Sequence, residues 1–123
     1  MASMYEKVFP AMIQDWRAHW REGNFPFLFV QISSFNSGSN ETWPIVREAQ
    51  RRTLALANTG MAVTIDVGDP NNVHPSDKQT VGARLALAGR AIAYGENVEF
   101  AGPLFRQTSI AGGAIHVLSL IHI

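Results

Sequence analysis

The chain has 123 residues, with ten Lys and Arg against ten Asp and Glu, a hydrophobic fraction of 46% and no cysteine. This composition can bury a core of one domain or less, and it carries too little charge for a disordered tail. The balanced charge argues against a nucleic-acid partner, and no apolar run approaches the ~18 residues that a membrane span needs. Without cysteine there is no disulfide framework, no thiolate nucleophile and no cysteine-based zinc site.

The first half of the chain predicts a helix followed by a strand. Large apolar residues recur every three or four positions over residues 4–20, which is typical of an amphipathic helix, and Gly23 and Asn24 end it. Residues 25–32 are aromatic, β-branched and almost continuously apolar, as in a parallel strand that is covered on both faces. The polar loop at residues 33–42 follows, and such loops at strand ends often carry function, although a solvated connection is the commoner case.

A second helix and strand follow the polar loop. Thr42 can cap the helix, Pro44 fits its first turn, and Asn58 and Gly60 end it. The side chains predicted to face inward are Val46, Ala49, Thr53 and Leu56 or Ala57. Residues 61–67 predict a second buried strand.

A third helix begins near Ser76 or Asp77, both good capping residues, and runs to Gly95. Its predicted apolar stripe consists of Val81, Leu85, Ala88 and Ile92. The order of helix, strand, helix, strand, helix predicts an α/β fold of doubly wound type, with parallel strands joined by right-handed crossovers.

The pattern changes after Tyr94. Short β-like pieces at residues 98–100 and 114–117 predict the start of a β-rich element, which we place at residues 96–117, after a first unit of residues 1–95. The ending LSLIHI, residues 118–123, matches the conceptual translation of a sequencing-library transposon end, CTG TCT CTT ATA CAC ATC. We interpret it as non-native sequence, against the alternative of a hydrophobic terminal strand, and exclude it from functional reasoning.

His74 is the strongest candidate for chemistry. It follows a predicted strand, at the edge of an α/β sheet where ligands bind, and an imidazole exchanges protons near neutral pH. Histidines in loops are nevertheless more often surface or turn residues. Asp66 and Asp69 could orient the ring through Nδ1, or they could be a strand-end carboxylate and a turn-forming residue.

No convincing partner for His74 is visible in the sequence. The chain has neither a GxSxG elbow nor a glycine-rich phosphate loop. The loop serines are more readily loop formers than nucleophiles; they are Ser33, Ser34, Ser37 and Ser39. His19, on the polar side of the first helix, and His116 show no metal-ligand spacing with His74, so we predict no metal and no cofactor.

Several blocks taken together resemble a known family. They are FPAMIQDWRAHW, FPFLFVQI, WPIVREAQ, AVTIDVGDPNNVHPSDKQTVGARLA and YGENVEFAGPLF. In this order they look like the C-terminal half of the catalytic domain of the sialate O-acetylesterases, serine esterases of the SGNH-hydrolase type, over residues 5–105. The resemblance implies a partial flavodoxin-like, three-layer α/β/α domain with a parallel sheet.

The resemblance also implies a mechanism. A serine activated by histidine attacks the acetyl ester of a sugar, and water then releases acetate from the acyl-enzyme. The family's HP-containing block matches here as VHPSDK, which gives His74 the role of general base. Many SGNH hydrolases carry Asp three residues before this histidine, but here the position is Asn71, so Asn71, a backbone carbonyl or Asp69 would orient the ring.

Two hypotheses about the function are open. The family's nucleophile and oxyanion-hole blocks, GQSN-like and QGExN-like, precede the first helix and are not found in these residues. We therefore expect no nucleophile serine in this chain, little activity from it alone and, since its sheet is incomplete, a tendency to aggregate. The alternative is a non-catalytic, flavodoxin-like carbohydrate-binding or interaction domain in which Trp16, Trp20 and Trp43 stack on sugars, although the first two fall on the helical stripe and are more often core residues.

The partner implied by the resemblance is an acetylated sugar, either sialic acid or a polysaccharide such as xylan. Relatives of this type are often secreted or periplasmic, which is the compartment expected for an intact parent protein. The acyl-sugar specificity is not set by any motif in the sequence.

Overall fold

The computed structural model describes residues 2–36, 38 and 42–120, and it has the predicted order of helices and strands. The elements are α1 (Ala2–Trp20), β1 (Phe27–Val30), α2 (Thr42–Thr53), β2 (Thr59–Ala62), a 3-10 helix (Ile65–Val67), α3 (Lys78–Ile92), β3 (Leu104–Ala111) and β4 (Ala114–Leu120). No helix within the described residues is both long and apolar enough to cross a bilayer.

β1 and β2 form a parallel pair that α3 covers on one face. Phe27 lies opposite Thr59, and Leu28 lies opposite Gly60. A Cβ at Gly60 would lie 2.5 Å from Ile92 Cδ1 and 2.9 Å from Leu28 Cδ2. Gly60 therefore lets α3 pack closely against the sheet.

α1 covers the opposite face of the pair and also packs against α2. The ring of Phe9 meets Phe29 edge-on at 5.0 Å between centroids, and Trp16 lies tilted against Phe27 at 5.8 Å. Ile13 of α1 is completely buried, as is Ala88 of α3. Helices thus lie on both faces of the parallel strands, and the predicted three-layer α/β/α architecture is confirmed.

The amino end of the pair is held by a buried arginine. Arg17 Nη2 donates to Phe25 O at 2.6 Å and to Asn58 O at 3.2 Å, and Nε donates to Phe25 O at 3.1 Å. Asn58, in a left-handed conformation with φ 54°, donates from its side chain to Asn24 O at 2.7 Å. One guanidinium thus ties together the residues that precede both strands.

Three predictions about the elements are wrong. The predicted strand at residues 61–67 ends at Ala62, because the chain turns at Thr64, whose Oγ1 donates to Gln31 O at 2.5 Å before the 3-10 helix begins. α2 ends at Thr53 rather than near Asn58, and 3-10-type bonds such as Leu54 N to Arg51 O (3.1 Å) replace the helix.

The third correction concerns residues 98–100, which form no strand. The predicted apolar stripe of α1 is also only partly covered by the described residues, since Trp16 remains 45% and Trp20 63% exposed. Their rings pack against Phe27 and Phe25, at the margin of the sheet rather than within the core.

The predicted β-rich element is a hairpin of β3 and β4. Ala111 lies opposite Ala114, and the turn uses Gly112 and Gly113 with φ of 58° and 76°. Residues 118–120 belong to β4, whereas residues 121–123 lie outside the described residues, so the non-native origin of 118–123 stays a prediction. Large apolar side chains of the hairpin are exposed, among them Ile110 at 80% and Ile115 at 70%.

Candidate functional site

The carboxyl ends of β1 and β2 bring two loops to one edge of the sheet. Residues 33–36 follow β1, and residues 63–77 follow β2 and include His74. We call this region the carboxyl-edge site. In open α/β folds ligands bind at this edge, so the position of the two loops agrees with the chemistry predicted for His74.

Side chains of α2 hold the loop after β1. Trp43 Nε1 donates to Ser33 O at 2.5 Å, and its ring lies tilted against Phe35 at 5.5 Å. The buried Gln50 donates to Val30 O at 3.2 Å and accepts from Ile32 N at 3.0 Å. Sequence reasoning missed Gln50, although a polar residue beside Ala49 on the inward face of the helix was a visible signal.

The loop that carries His74 is stabilised by two short turns. Asp69 Oδ1 accepts from Asn71 N at 2.8 Å, and Asn72 Oδ1 accepts from His74 N at 2.9 Å. The loop ends at Asp77, which caps α3 by accepting from Thr80 N at 3.0 Å, as predicted. These side-chain turns give the backbone at His74 a defined path.

The structure places the three predicted site residues in this one loop. Asp69, Asn71 and His74 lie within six residues, and the side chain of His74 is exposed. Among the described residues, none forms a hydrogen bond with the His74 ring. The carboxylate of Asp69 holds the backbone of Asn71 instead, so the orienting roles of Asp69 and Asn71 stay predictions.

Asp66, the other carboxylate considered for His74, is engaged by α3. Arg84 Nη1 and Nη2 donate to its two oxygens at 2.6 Å each, and Nη1 also donates to Val63 O at 2.8 Å. The hydrogen bonds and charge of Arg84 lower the pKa of Asp66 to about 2. Asp66 is therefore a structural anion, which fixes the start of the 63–77 loop.

The remaining candidates are the loop serines and the histidines outside the His74 loop. Ser33 is buried and Ser34 half-buried, whereas Ser37 and Ser39 lie outside the described residues. His19 is exposed on α1, where its Nδ1 lies 2.9 Å from Asp15 O. Within the described part of the chain, His, Asp and Glu form no cluster of three that could hold a metal ion.

A cavity of about 720 Å³ lies along β2, beside the segment at residues 99–104. Its walls are mainly apolar, with Met61 and Leu104 among them, and Asp66 and Arg84 stand at its polar side. Val63, Ile65 and Asp66, at the start of the 63–77 loop, line the cavity, but His74 does not.

Comparison with known proteins decides the family. No family model matches the chain. The chain is 40% identical to sialate O-acetylesterase of Mus musculus over 127 aligned positions, which cover 87% of this chain and 24% of that protein. It is likewise 40% identical to sialate O-acetylesterase of Homo sapiens, over 82% of this chain and 23% of that protein. The chain belongs to the sialate O-acetylesterase family.

A solved structure supports both the family and the fold. A carbohydrate acetylesterase from Xanthomonas citri superposes with a TM-score of 0.93 and 42% identity, covering 98% of this chain and 28% of that chain. The predicted family and the SGNH-type α/β class are confirmed. The chain spans about a quarter of the length of the sialate O-acetylesterases that it matches.

Proposed function

We propose that this chain is the histidine-bearing part of a serine carbohydrate O-acetylesterase, which removes acetyl esters from sugars such as sialic acid or an acetylated polysaccharide. The observation that carries the proposal is the match to a carbohydrate acetylesterase over 98% of the chain. The exposed position of His74 at the carboxyl-edge site supports it.

In the proposed mechanism His74 is the general base. Its neutral ring takes the proton of a serine hydroxyl while the serine oxygen attacks the acetyl carbonyl. The ring then gives that proton to the departing sugar oxygen, and a water molecule, deprotonated in the same way, releases acetate from the acyl-enzyme. The serine and its oxyanion hole are expected outside these 123 residues, in the family blocks that precede α1.

Asp69 and Asn71 are proposed to orient the His74 ring in the assembled site. Both residues lie in the His74 loop, which supports this assignment, although in this structure Asp69 Oδ1 accepts from Asn71 N. If Asp69 stabilises the protonated ring, Asp69→Asn lowers kcat and moves the acidic limb of the pH profile to lower pH, because the imidazolium loses its favourable neighbour. Asn71→Ala is expected to have the smaller effect, since an amide carries no charge.

The direct test transplants the chain into a complete enzyme. The matching segment of the Xanthomonas citri acetylesterase is replaced by this chain, and hydrolysis of p-nitrophenyl acetate and of an acetylated sugar is measured. The chimera is expected to be active, and His74→Ala in it to lower kcat/KM about 10³-fold or more. The control is His19→Ala, which removes an exposed histidine from α1 and should leave the rate unchanged.

The 123-residue chain by itself is tested for hydrolysis and for labelling of a serine. It is expected neither to hydrolyse p-nitrophenyl acetate nor to react with a fluorophosphonate, because the nucleophile is missing. Labelling of a serine at residues 33–39 would contradict the proposed division of the site. An active chimera in which His74→Ala has no effect would contradict the role of the histidine.

A second candidate function is sugar binding without catalysis, and the exposure of Trp20 favours it. Trp20 stacks on Phe25 at 5.2 Å, yet 63% of the residue remains exposed. The pair lies before β1, at the opposite end of the sheet from His74. Binding of an acetylated sugar that survives His74→Ala but is lost in Trp20→Ala would favour this function over the esterase.

A further inference from the structure

Gly68 lies where the backbone after the 3-10 helix passes the loop after β1. Its φ of −74° and ψ of 167° are extended angles, which any residue adopts. The backbone conformation therefore does not require glycine at this position. The reason for glycine has to be found in what lies next to it.

Ser34 leaves no space for a side chain at residue 68. A Cβ at Gly68 would overlap the hydroxyl and the carbonyl oxygen of Ser34 and would lie 2.6 Å from Ser34 N. Two of these three atoms belong to the backbone, so a rotamer change of Ser34 cannot relieve the overlap. Glycine is thus required here by the close approach of two chain segments.

This close approach joins the two loops of the carboxyl-edge site. Two residues beyond Gly68 and Ser34, Asn36 N donates to Pro70 O at 3.1 Å. Among the described residues this is the one hydrogen bond between residues 33–36 and residues 69–77. Residues 71–77 are otherwise held by side-chain turns within the loop and by the N-cap of α3, and Arg84 holds the start of the loop at Val63 and Asp66.

We propose that Gly68 is a positioning residue for His74: its contact with Ser34 sets the spacing of the two loops and so holds the histidine loop in place over the sheet. Any larger residue pushes the backbone at position 68 away from Ser34 and breaks the Asn36–Pro70 hydrogen bond. The consequence for catalysis rests on the proposed function. The consequence for the position of the His74 ring does not.

The first test uses NMR of the 123-residue chain. In Gly68→Ala we expect the Asn36 amide to lose its protection from hydrogen exchange and the His74 ring signals to shift. The matched control is Gly102→Ala, because Gly102 is also outside helices and strands and a Cβ there meets nothing within 4 Å. A folded Gly68→Ala chain with native Asn36 protection and native His74 signals would overturn the proposal.

The second test uses the esterase chimera. Gly68→Ala is expected to lower kcat about 100-fold, the scale of a misplaced catalytic group, while KM stays within about twofold. An unchanged kcat overturns the proposal. If the chimera with Gly68 intact is inactive, the proposed function fails, and the NMR comparison still decides the role of Gly68.

A pair of variants on the opposite loop covers the case in which Gly68→Ala does not fold. Asn36→Pro removes the backbone donor to Pro70, whereas Asn36→Ala keeps that donor and removes only the side chain, which accepts from Gly38 N at 3.2 Å. The proposal requires that Asn36→Pro shifts the His74 signals and lowers kcat more than Asn36→Ala. Equal effects of the two variants would contradict it.

Discussion

Arg17 and Arg84 donate hydrogen bonds to backbone carbonyls at opposite ends of the parallel pair, and they differ in how exposed they are. Arg17 is 7% exposed and donates only to backbone carbonyls, those of Phe25 and Asn58. The Arg84 side chain is 34% exposed and shares its guanidinium between Val63 O and the carboxylate of Asp66. One end of the sheet is closed by a buried cation, and the other is braced by an ion pair in water.

The two arginines are expected to contribute differently to the stability of the two ends of the sheet. Hydrogen bonds from a buried cation are strong, and removing Arg17 would take both of its hydrogen bonds from Phe25 O, whereas Asn58 O would still accept from Phe27 N. An exposed ion pair contributes less, because water and salt screen it. The ion pair at the end that carries His74 can therefore be removed at a smaller cost in stability than Arg17.

The largest expected effect is that of Arg17→Met. We expect the free energy of unfolding to fall by about 3 kcal/mol, because the carbonyls of Phe25 and Asn58 lose charge-assisted hydrogen bonds from a buried side chain. Urea denaturation measures the change. The control is Lys7→Met, an exposed position on the same helix, for which a change within about 0.5 kcal/mol is expected. Equal losses of stability in Arg17→Met and Lys7→Met would contradict the stabilising role of Arg17.

A smaller effect is expected from Gly60→Ala, in the middle of the sheet. The added methyl meets Ile92 Cδ1 and Leu28 Cδ2, which are flexible side-chain ends, so overpacking should cost about 1–2 kcal/mol. Ile92→Val in the same chain should recover part of the loss, since it removes the nearest atom. Gly82→Ala, in open space on α3, should instead stabilise the chain by up to about 1 kcal/mol. If Ile92→Val does not reduce the loss of stability in Gly60→Ala, the close contact between residue 60 and Ile92 is contradicted.

The smallest effect, and one that depends on pH, is expected from Asp66→Asn. Arg84 lowers the pKa of Asp66 from 3.8 to about 2, so the folded state binds this proton less readily than the unfolded state. The stabilisation is present above pH ~4 and is lost as the pH falls towards 2. Wild type should therefore be more stable than Asp66→Asn at pH 7, and the difference should vanish near pH 2.

Thermal unfolding at several pH values checks this prediction. Glu22→Gln, at an exposed position just after α1, controls for the removal of an acidic group. Added salt should reduce the difference at pH 7, because the pair is exposed. A difference between wild type and Asp66→Asn that stays constant from pH 7 to pH 2 would show that the ion pair with Arg84 does not brace this end of the sheet.

The sequence predicts those features that depend on local pattern. The period of apolar residues predicts α1 and α3, and the capping preference of Asp77 predicts where α3 begins. Arg17, Gln50 and Thr64 escape prediction because each satisfies backbone groups of a different segment, and that pairing exists only in the folded chain. His74 can be found from its position after a strand and from the family resemblance, but the spacing of Asp69 and Asn71 in a loop does not determine where their side chains point.

Gln50 also limits where a further strand can pair with β1, on the edge that faces away from β2. Gln31 N donates to Ala62 O, and because backbone groups alternate along a strand, Val30 and Ile32 present theirs on the other edge. Gln50 already occupies Val30 O and Ile32 N, as a neighbouring strand would. A strand supplied by another segment or protein can therefore pair with β1 only before Val30, so a side chain of α2 determines how far an added strand can extend towards the His74 loop.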